Sequence, residues 1–249
     1  MHLNSAIGVT TSIALFIPII LILALRLHFN RSFLVLAFYF FIVAVQNLMT
    51  QNIITAPKSF YQSLGIVNNL LDAPLMLLFL MFFSTSPRMT RRIFVTITIF
   101  IAFEATMLAI YGFSVKMVKI IMGPDIAIIL ALSFIFFLRN VRLAITNSKS
   151  LGKAVMISSV LLLYSIFSLV YIFYYLVIND QYKDDAQLIY YLVTILSAIL
   201  MSIGILIENK RLKKLGELKH TRKELATIYG EKKVAALNKD SRFLNARRF

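Results

Sequence analysis

Residues 65–85, GIVNNLLDAPLMLLFLMFFST, contain an apolar run long enough to cross a lipid bilayer. A membrane-spanning helix needs about 20 predominantly apolar residues, whereas a strand of a membrane barrel needs only about ten, alternating in polarity. The run is too long and too continuously apolar for such a strand. It therefore predicts a transmembrane helix, which carries one charged side chain, Asp72.

Similar apolar runs recur on both sides of this stretch, separated by short polar or basic segments. They predict an all-α integral membrane protein whose residues 1–208 form a seven-transmembrane-helix bundle. Residues 209–249 are predicted to form a separate basic tail. The spans are predicted at residues 8–27, 33–49, 65–85, 93–113, 118–138, 154–178 and 188–207.

The composition agrees with a membrane protein, because 59% of the residues are hydrophobic and only 15% are charged. A soluble domain carries about 25% charged residues. The net charge of +15 would suggest nucleic acid if it were taken alone. However, the side of the membrane on which the N-terminus is predicted to lie has only four lysine or arginine residues: Lys58, Lys116, Lys119 and Lys183. The positive-inside rule then predicts an outside N-terminus and a cytoplasmic C-terminus in a plasma or inner membrane, with no nucleic-acid partner.

The tail combines leucines at helical spacing with many basic residues, which predicts an amphipathic helix next to the membrane. Such a helix contacts anionic lipid headgroups, and each basic residue contributes about 1 kcal/mol near the surface. A cytoplasmic protein partner is the open alternative. The residues predicted to make either contact are Lys210, Arg211, Lys213, Lys214, Arg222 and Lys223.

The third span has a polar face, which marks it as a candidate functional segment. Asn68 lies one helical turn before Asp72, and Asn69 is adjacent to Asn68. Pro74 removes a backbone hydrogen bond beside Asp72, so we expect a kink and a free carbonyl group there. An interhelical hydrogen bond that only holds the bundle together is the alternative to a ligand pocket or an ion path.

Two other spans also carry a carboxyl group, Glu104 in the fourth and Asp125 in the fifth. An ionisable residue within a span costs about 2.5–3.5 kcal/mol on insertion scales, and it points to function for that reason. No lysine or arginine falls deep in any predicted span. We therefore expect at least one of Asp72 and Glu104 to be protonated at neutral pH.

The sixth span is rich in aromatic residues, and Tyr164, Phe167 and Tyr171 share one helical face. This face is interpreted either as packing and lipid contact or as one wall of an apolar ligand pocket.

The spans resemble those of the microbial rhodopsins, a family of seven-helix membrane proteins. Pro74 and the leucines after it match the proline-leucine run of that family's third helix. Tyr164, Phe167 and Tyr171 fall on the aromatic positions of its sixth helix, although Ser168 replaces a proline. Ser197 and Ala198 match the residues that precede the family's retinal-binding lysine. The resemblance implies a rhodopsin-like bundle with a pocket between its helices.

The resemblance does not extend to the residues that would hold retinal covalently. Ile199 stands at the position of the lysine, and Asn68 and Ile195 stand at those of the acidic counterions. A protonated Schiff base needs an amine and a nearby negative charge. Covalent retinal is therefore not expected, whereas non-covalent binding of an apolar ligand stays open. The pocket would then include Ile199.

Three classes of function remain open. The first is a sensor or transducer that binds a small apolar ligand and signals through its tail, and the second is an ion or proton channel or transporter that uses the carboxyl groups. The third is a membrane enzyme acting on lipid or isoprenoid, although the sequence contains no recognisable catalytic motif. The chain has no cysteine, and His2, His28 and His220 are scattered, so neither a metal site nor another cofactor is expected. Association into a homo-oligomer is compatible with the apolar helix faces.

Overall fold

The computed structural model describes residues 2–84, 86–147, 150–173 and 183–229, and these residues are all-helical apart from short turns. The helices are α1 (His2–Ala24), α2 (Arg31–Thr50), α3 (Lys58–Phe83), α4 (Pro87–Tyr111), α5 (Val115–Asn147), α6 (Leu151–Tyr171) and α7 (Lys183–Tyr229), with a short 3₁₀ turn at Leu27–Phe29. Within the described residues, seven helices are long and apolar enough to cross a membrane. The predicted all-α, multi-pass architecture is therefore confirmed.

Several helices extend beyond the predicted spans. α3 begins at Lys58 rather than at residue 65, and α5 continues to Asn147 rather than ending at residue 138. These extensions carry polar residues. A helix can continue beyond its apolar run, so the apolar run alone does not mark the ends of the helix. The end of the predicted sixth span, residues 174–178, lies outside the described residues, as do residues 230–249 of the tail.

The helix ends follow from local sequence. Asn30 caps α2, because its side chain accepts a hydrogen bond from the Ser32 backbone at 3.3 Å and another from the Ser32 hydroxyl group at 3.0 Å. Pro87 begins α4, at a position where a backbone N–H would have no acceptor within the helix, so proline costs no hydrogen bond there. Gly112 ends α4 at a φ of 66°, a conformation that glycine adopts without steric cost. Pro74 does not end α3, which continues to Phe83.

α3 lies inside the bundle, where it packs against α2, α4 and α5. Its buried side chains include Met76, Leu77, Phe79 and Leu80. α5 also packs closely against α6. This arrangement places the polar face of α3 between neighbouring helices and away from lipid.

Hydrogen bonds fix α1, α6 and α7 in the bundle. The Asn47 amide on α2 donates to the Ser12 hydroxyl group on α1 at 2.8 Å and to the Gly8 carbonyl group at 3.2 Å. Ser159 on α6 donates to the Ser197 carbonyl group on α7 at 2.7 Å. Such bonds between spans contribute about 1 kcal/mol each, and they also set the register of the helices.

The chain divides into two compact units, and the boundary falls between Ile207 and Glu208. In the second unit, the described part of the tail is helical up to Tyr229. Arg211 pairs with Glu208 in an ion pair. Five of the six basic residues predicted to contact the membrane or a partner are exposed and the sixth, Arg211, is partly exposed: Lys210, Arg211, Lys213, Lys214, Arg222 and Lys223.

Candidate functional site

A hydrogen bond between α3 and α6 forms the centre of the candidate site. The hydroxyl group of Tyr164 donates to the Asp72 carboxyl group at 2.9 Å. Tyr164 is fully buried, whereas Asp72 is half-buried, so the bond lies at the edge of the protein interior. Hydrogen bonds to a charged or potentially charged acceptor contribute more than neutral ones, about 1.5–3 kcal/mol. The bond fixes the direction in which the Asp72 carboxyl group points.

Two more side chains approach Asp72 from other helices. Tyr39 on α2 and Asp125 on α5 are its other polar neighbours. Asp125 also lies close enough to Glu104 on α4 for their charges to interact. The structure therefore brings the three intramembrane carboxyl groups into one row across α3, α5 and α4, with Asp125 in the middle.

Two of these carboxyl groups have an oxygen atom without a partner. Among the described residues, the Oδ1 atom of Asp125, which is 2% exposed, has no hydrogen-bond partner, and neither has the Oε1 atom of Glu104, which is 7% exposed. A buried polar atom that lacks a hydrogen bond destabilises the fold by about 1–3 kcal/mol. Ionisable groups within membrane spans commonly mark ligand sites or ion and proton paths.

A cavity of about 200 Å³ lies beside Asp72 and Asp125, between α1, α2, α3, α5, α6 and α7. An engineered apolar cavity of about 150 Å³ in another protein holds benzene, so this space fits a compact molecule. Its walls are formed by Leu15, Tyr39, Phe40, Val43, Asn68, Asn69, Asp72, Met122, Asp125, Ile126, Leu163, Phe167, Val170, Tyr171, Tyr190, Thr194 and Ser197.

Aromatic rings form much of this wall. Phe167 on α6 stacks on Tyr190 of α7, with ring centroids 5.0 Å apart and planes inclined by 19°. Tyr164 lies next to Phe167, at a centroid distance of 5.8 Å. The Tyr171 hydroxyl group donates to the Lys119 carbonyl group at 3.0 Å, which joins α6 to α5. The wall therefore combines rigid aromatic faces with two carboxyl groups.

Most of the residues singled out in the sequence meet at this cavity. Asn68, Asn69 and Asp72 line it from α3, and the Asn69 amide donates to the Gly65 carbonyl group at 2.7 Å. Asp125 lines it from α5, and Phe167 and Tyr171 line it from α6. Tyr164 supports it by holding Asp72.

Besides Tyr164, three predicted residues lie outside the cavity wall. Ile199 is 44% exposed, and the residue before it, Ala198, faces the interior instead. Successive side chains on a helix point about 100° apart, and Ile199 is not among the residues that line this cavity. Glu104 is buried on α4, and Pro74 lies inside α3. Neither of these two lines the cavity.

Four further side chains with polar groups, which were not predicted as pocket residues, also line the cavity: Tyr39, Tyr190, Thr194 and Ser197. Tyr190, Thr194 and Ser197 follow one another at intervals of about one helical turn, so they lie on the same face of α7. This polar stripe in an otherwise apolar span was the available signal. Tyr39 had no comparable signal, because it lies among other aromatic residues of α2.

Within the described residues, no group of three or more His, Asp or Glu side chains could hold a metal ion. The three carboxyl groups are thus neighbours in a row without forming a cage. In comparisons with protein-family models, curated proteins and solved structures, none matches this chain.

Proposed function

We propose that this protein is a non-enzymatic membrane receptor that binds a compact small molecule within its helix bundle and signals through its basic tail. The observation that carries the proposal is the cavity of about 200 Å³, which Asp72 and Asp125 line together with aromatic side chains. The two acidic side chains place polar groups for a bound molecule in a wall that is otherwise largely apolar. Pocket walls of this kind, largely apolar with few polar groups, are typical of ligand sites.

The size of the cavity favours a compact ligand. Sites for drug-sized molecules enclose about 300–1,000 Å³, more than the cavity of about 200 Å³ found here. A polyene as long as retinal needs more room than this cavity provides. The proposal is therefore a rhodopsin-like bundle without covalent retinal, in which a smaller ligand contacts the aromatic walls.

The positive-inside pattern supports an orientation for this receptor. With the N-terminus outside, the cavity lies in the outer half of the bundle, since it is lined by the N-terminal part of α5 and the C-terminal part of α6. The tail is then cytoplasmic, where its basic residues meet anionic headgroups or a protein partner. α7 carries Tyr190, Thr194 and Ser197 early in its sequence and the basic residues later. A ligand that shifts α7 would therefore act on the helix that continues into the tail.

Filling the cavity tests this proposal. Val43 lines it from α2, and Val43→Phe would occupy space that a ligand needs. Val95, which is 47% exposed on α4, provides a matched control in Val95→Phe. Purified protein would be screened for thermal stabilisation by compounds of up to about ten non-hydrogen atoms. We expect hits that stabilise the wild type and Val95→Phe but not Val43→Phe. Hits that stabilise all three proteins equally would contradict binding in this cavity.

Ion or proton conduction is a second candidate, favoured by the row of carboxyl groups from Asp72 through Asp125 to Glu104. Carboxyl groups in such a row can pass a proton or coordinate a migrating cation. If the protein conducts, Glu104→Gln should reduce proton flux into liposomes at least tenfold. Asp185→Asn, at an exposed position near the start of α7, should leave flux unchanged. Equal flux through wild type and Glu104→Gln would remove Glu104 from any such path.

A further inference from the structure

The ligand cavity has a strongly one-sided electrostatic character. Asp72 and Asp125 line it, whereas no lysine, arginine or histidine among the described residues does so. A carboxylate in a low-dielectric interior needs either a proton or a nearby positive charge. Asp72 receives a hydrogen bond from Tyr164, and among the described residues the Oδ1 atom of Asp125 has no hydrogen-bond partner. A bound molecule that donates hydrogen bonds or carries a positive charge would therefore complement the two carboxyl groups of this cavity.

The aromatic residues of the wall distinguish between these kinds of partner. A ring attracts a cation over its face through the negative potential of its π-electrons, at distances within about 6 Å of the centroid. Five side chains of the cavity wall are aromatic, and they come from α2, α6 and α7: Tyr39, Phe40, Phe167, Tyr171 and Tyr190. Phe167 and Tyr190 stack on each other across α6 and α7, so two of these rings support each other in the wall. Pockets lined by several aromatic rings recognise quaternary ammonium ions in other proteins.

A metal ion fits the cavity less well than an organic cation. Calcium takes six to eight oxygen ligands, and magnesium requires octahedral oxygen geometry. The described residues supply no cluster of three or more metal-binding side chains. The largely apolar wall, in contrast, suits the methyl groups or carbon chain of a substituted amine.

Resting on the proposed function, we infer that the ligand is a small organic cation, a quaternary ammonium compound or a compact amine. Its charged head lies against Asp125 and Asp72, and its alkyl groups contact Phe167 and the neighbouring rings. The cavity volume of about 200 Å³ limits it to a size slightly above that of benzene. Choline and tetramethylammonium have the required charge and dimensions and serve as probes.

Choline is best compared with its neutral isostere dimethylbutanol, in which a carbon atom replaces the charged nitrogen. Both would be titrated against the full-length protein in a maltoside detergent with phosphatidylglycerol, so that no phosphocholine headgroup competes. We expect choline to bind at millimolar concentration or tighter, and at least tenfold more tightly than dimethylbutanol. Phe167→Leu should weaken choline binding about tenfold. Phe134→Leu, a substitution at a half-exposed position on α5, should not.

The possible failures separate the inference from the proposed function. Equal or tighter binding of dimethylbutanol would overturn the cationic ligand and leave the ligand cavity in place. A second result would also overturn only the cationic ligand. In it, choline and tetramethylammonium fail to bind, while a neutral compound stabilises the wild type but not Val43→Phe. If no compound of either kind binds, both the cationic ligand and the receptor function are wrong.

Discussion

Asp125→Asn should make the ligand-free protein more stable and at the same time weaken choline binding more than tenfold. The carboxyl group of Asp125 is 2% exposed, and it has one oxygen without a hydrogen bond and a second carboxyl group, Asp72, as its neighbour. Asparagine has nearly the same shape, carries no charge, and provides an N–H group that can donate to Asp72. Removing one of two neighbouring acidic groups from a buried site is expected to stabilise the fold by about 1–3 kcal/mol.

This opposite response of stability and binding is what distinguishes a ligand site from a structural contact. Sites that bind charged ligands are held in an arrangement that is unfavourable without the ligand. The thermal unfolding midpoint, followed by far-ultraviolet circular dichroism, should rise for Asp125→Asn in the absence of choline. Choline should then raise the midpoint of the wild type but not that of the variant. The exposed substitution Asp185→Asn should change neither quantity.

A loss of both stability and binding in Asp125→Asn would show that the carboxylate is needed by the fold itself. In that case Asp125 would have a partner that only a carboxylate can satisfy.

Tyr164→Phe independently tests the contribution of the Asp72 contact to stability, because it removes the hydrogen bond to Asp72 without altering charge. It should destabilise the protein by about 1–3 kcal/mol, since it leaves the Asp72 oxygen unpaired in the interior.

The helical architecture was predictable from sequence, because membrane insertion depends on local composition. Each span of the bundle has a mean hydropathy near 2, and no long-range information is needed to find it. The shared face of Asn68 and Asp72 was equally predictable, since residues four apart on one helix always lie on the same side. Both features depend only on sequence-local geometry.

The partners of the polar residues were not predictable in this way. The bond from Tyr164 to Asp72 joins two residues that are far apart in sequence, and it depends on how α3 packs against α6. The orientation of α7 was likewise not evident from the sequence, because an apolar helix has little periodicity to show that Ala198 is buried and Ile199 half-exposed. In the bilayer the apolar side chains are compatible with both lipid and protein, so packing of small and polar residues decides the orientation.

The packing between α6 and α7 depends on small residues placed seven positions apart on both helices. Ser159 on α6 meets Ser197 on α7, and Gly204, seven residues after Ser197, meets the backbone near Gly152, seven residues before Ser159. A Cβ atom at Gly204 would lie 2.9 Å from the Met156 backbone nitrogen and 3.2 Å from the Gly152 carbonyl oxygen. Neither backbone atom can move without displacing α6. Small residues at such positions let two membrane helices approach closely.

Gly204→Ala should therefore destabilise the bundle by about 1–3 kcal/mol, the usual cost of overpacking a tight contact. Gly216→Ala is the matched control, because Gly216 lies in the same helix with open space around it. There, alanine should stabilise the helix by up to about 1 kcal/mol through its higher helical propensity. Thermal unfolding of both variants in detergent would measure the difference. Since α6 and α7 both line the cavity, Gly204→Ala should also weaken choline binding. An unfolding midpoint equal to that of Gly216→Ala would show that the two helices are less closely packed than their backbone distances imply.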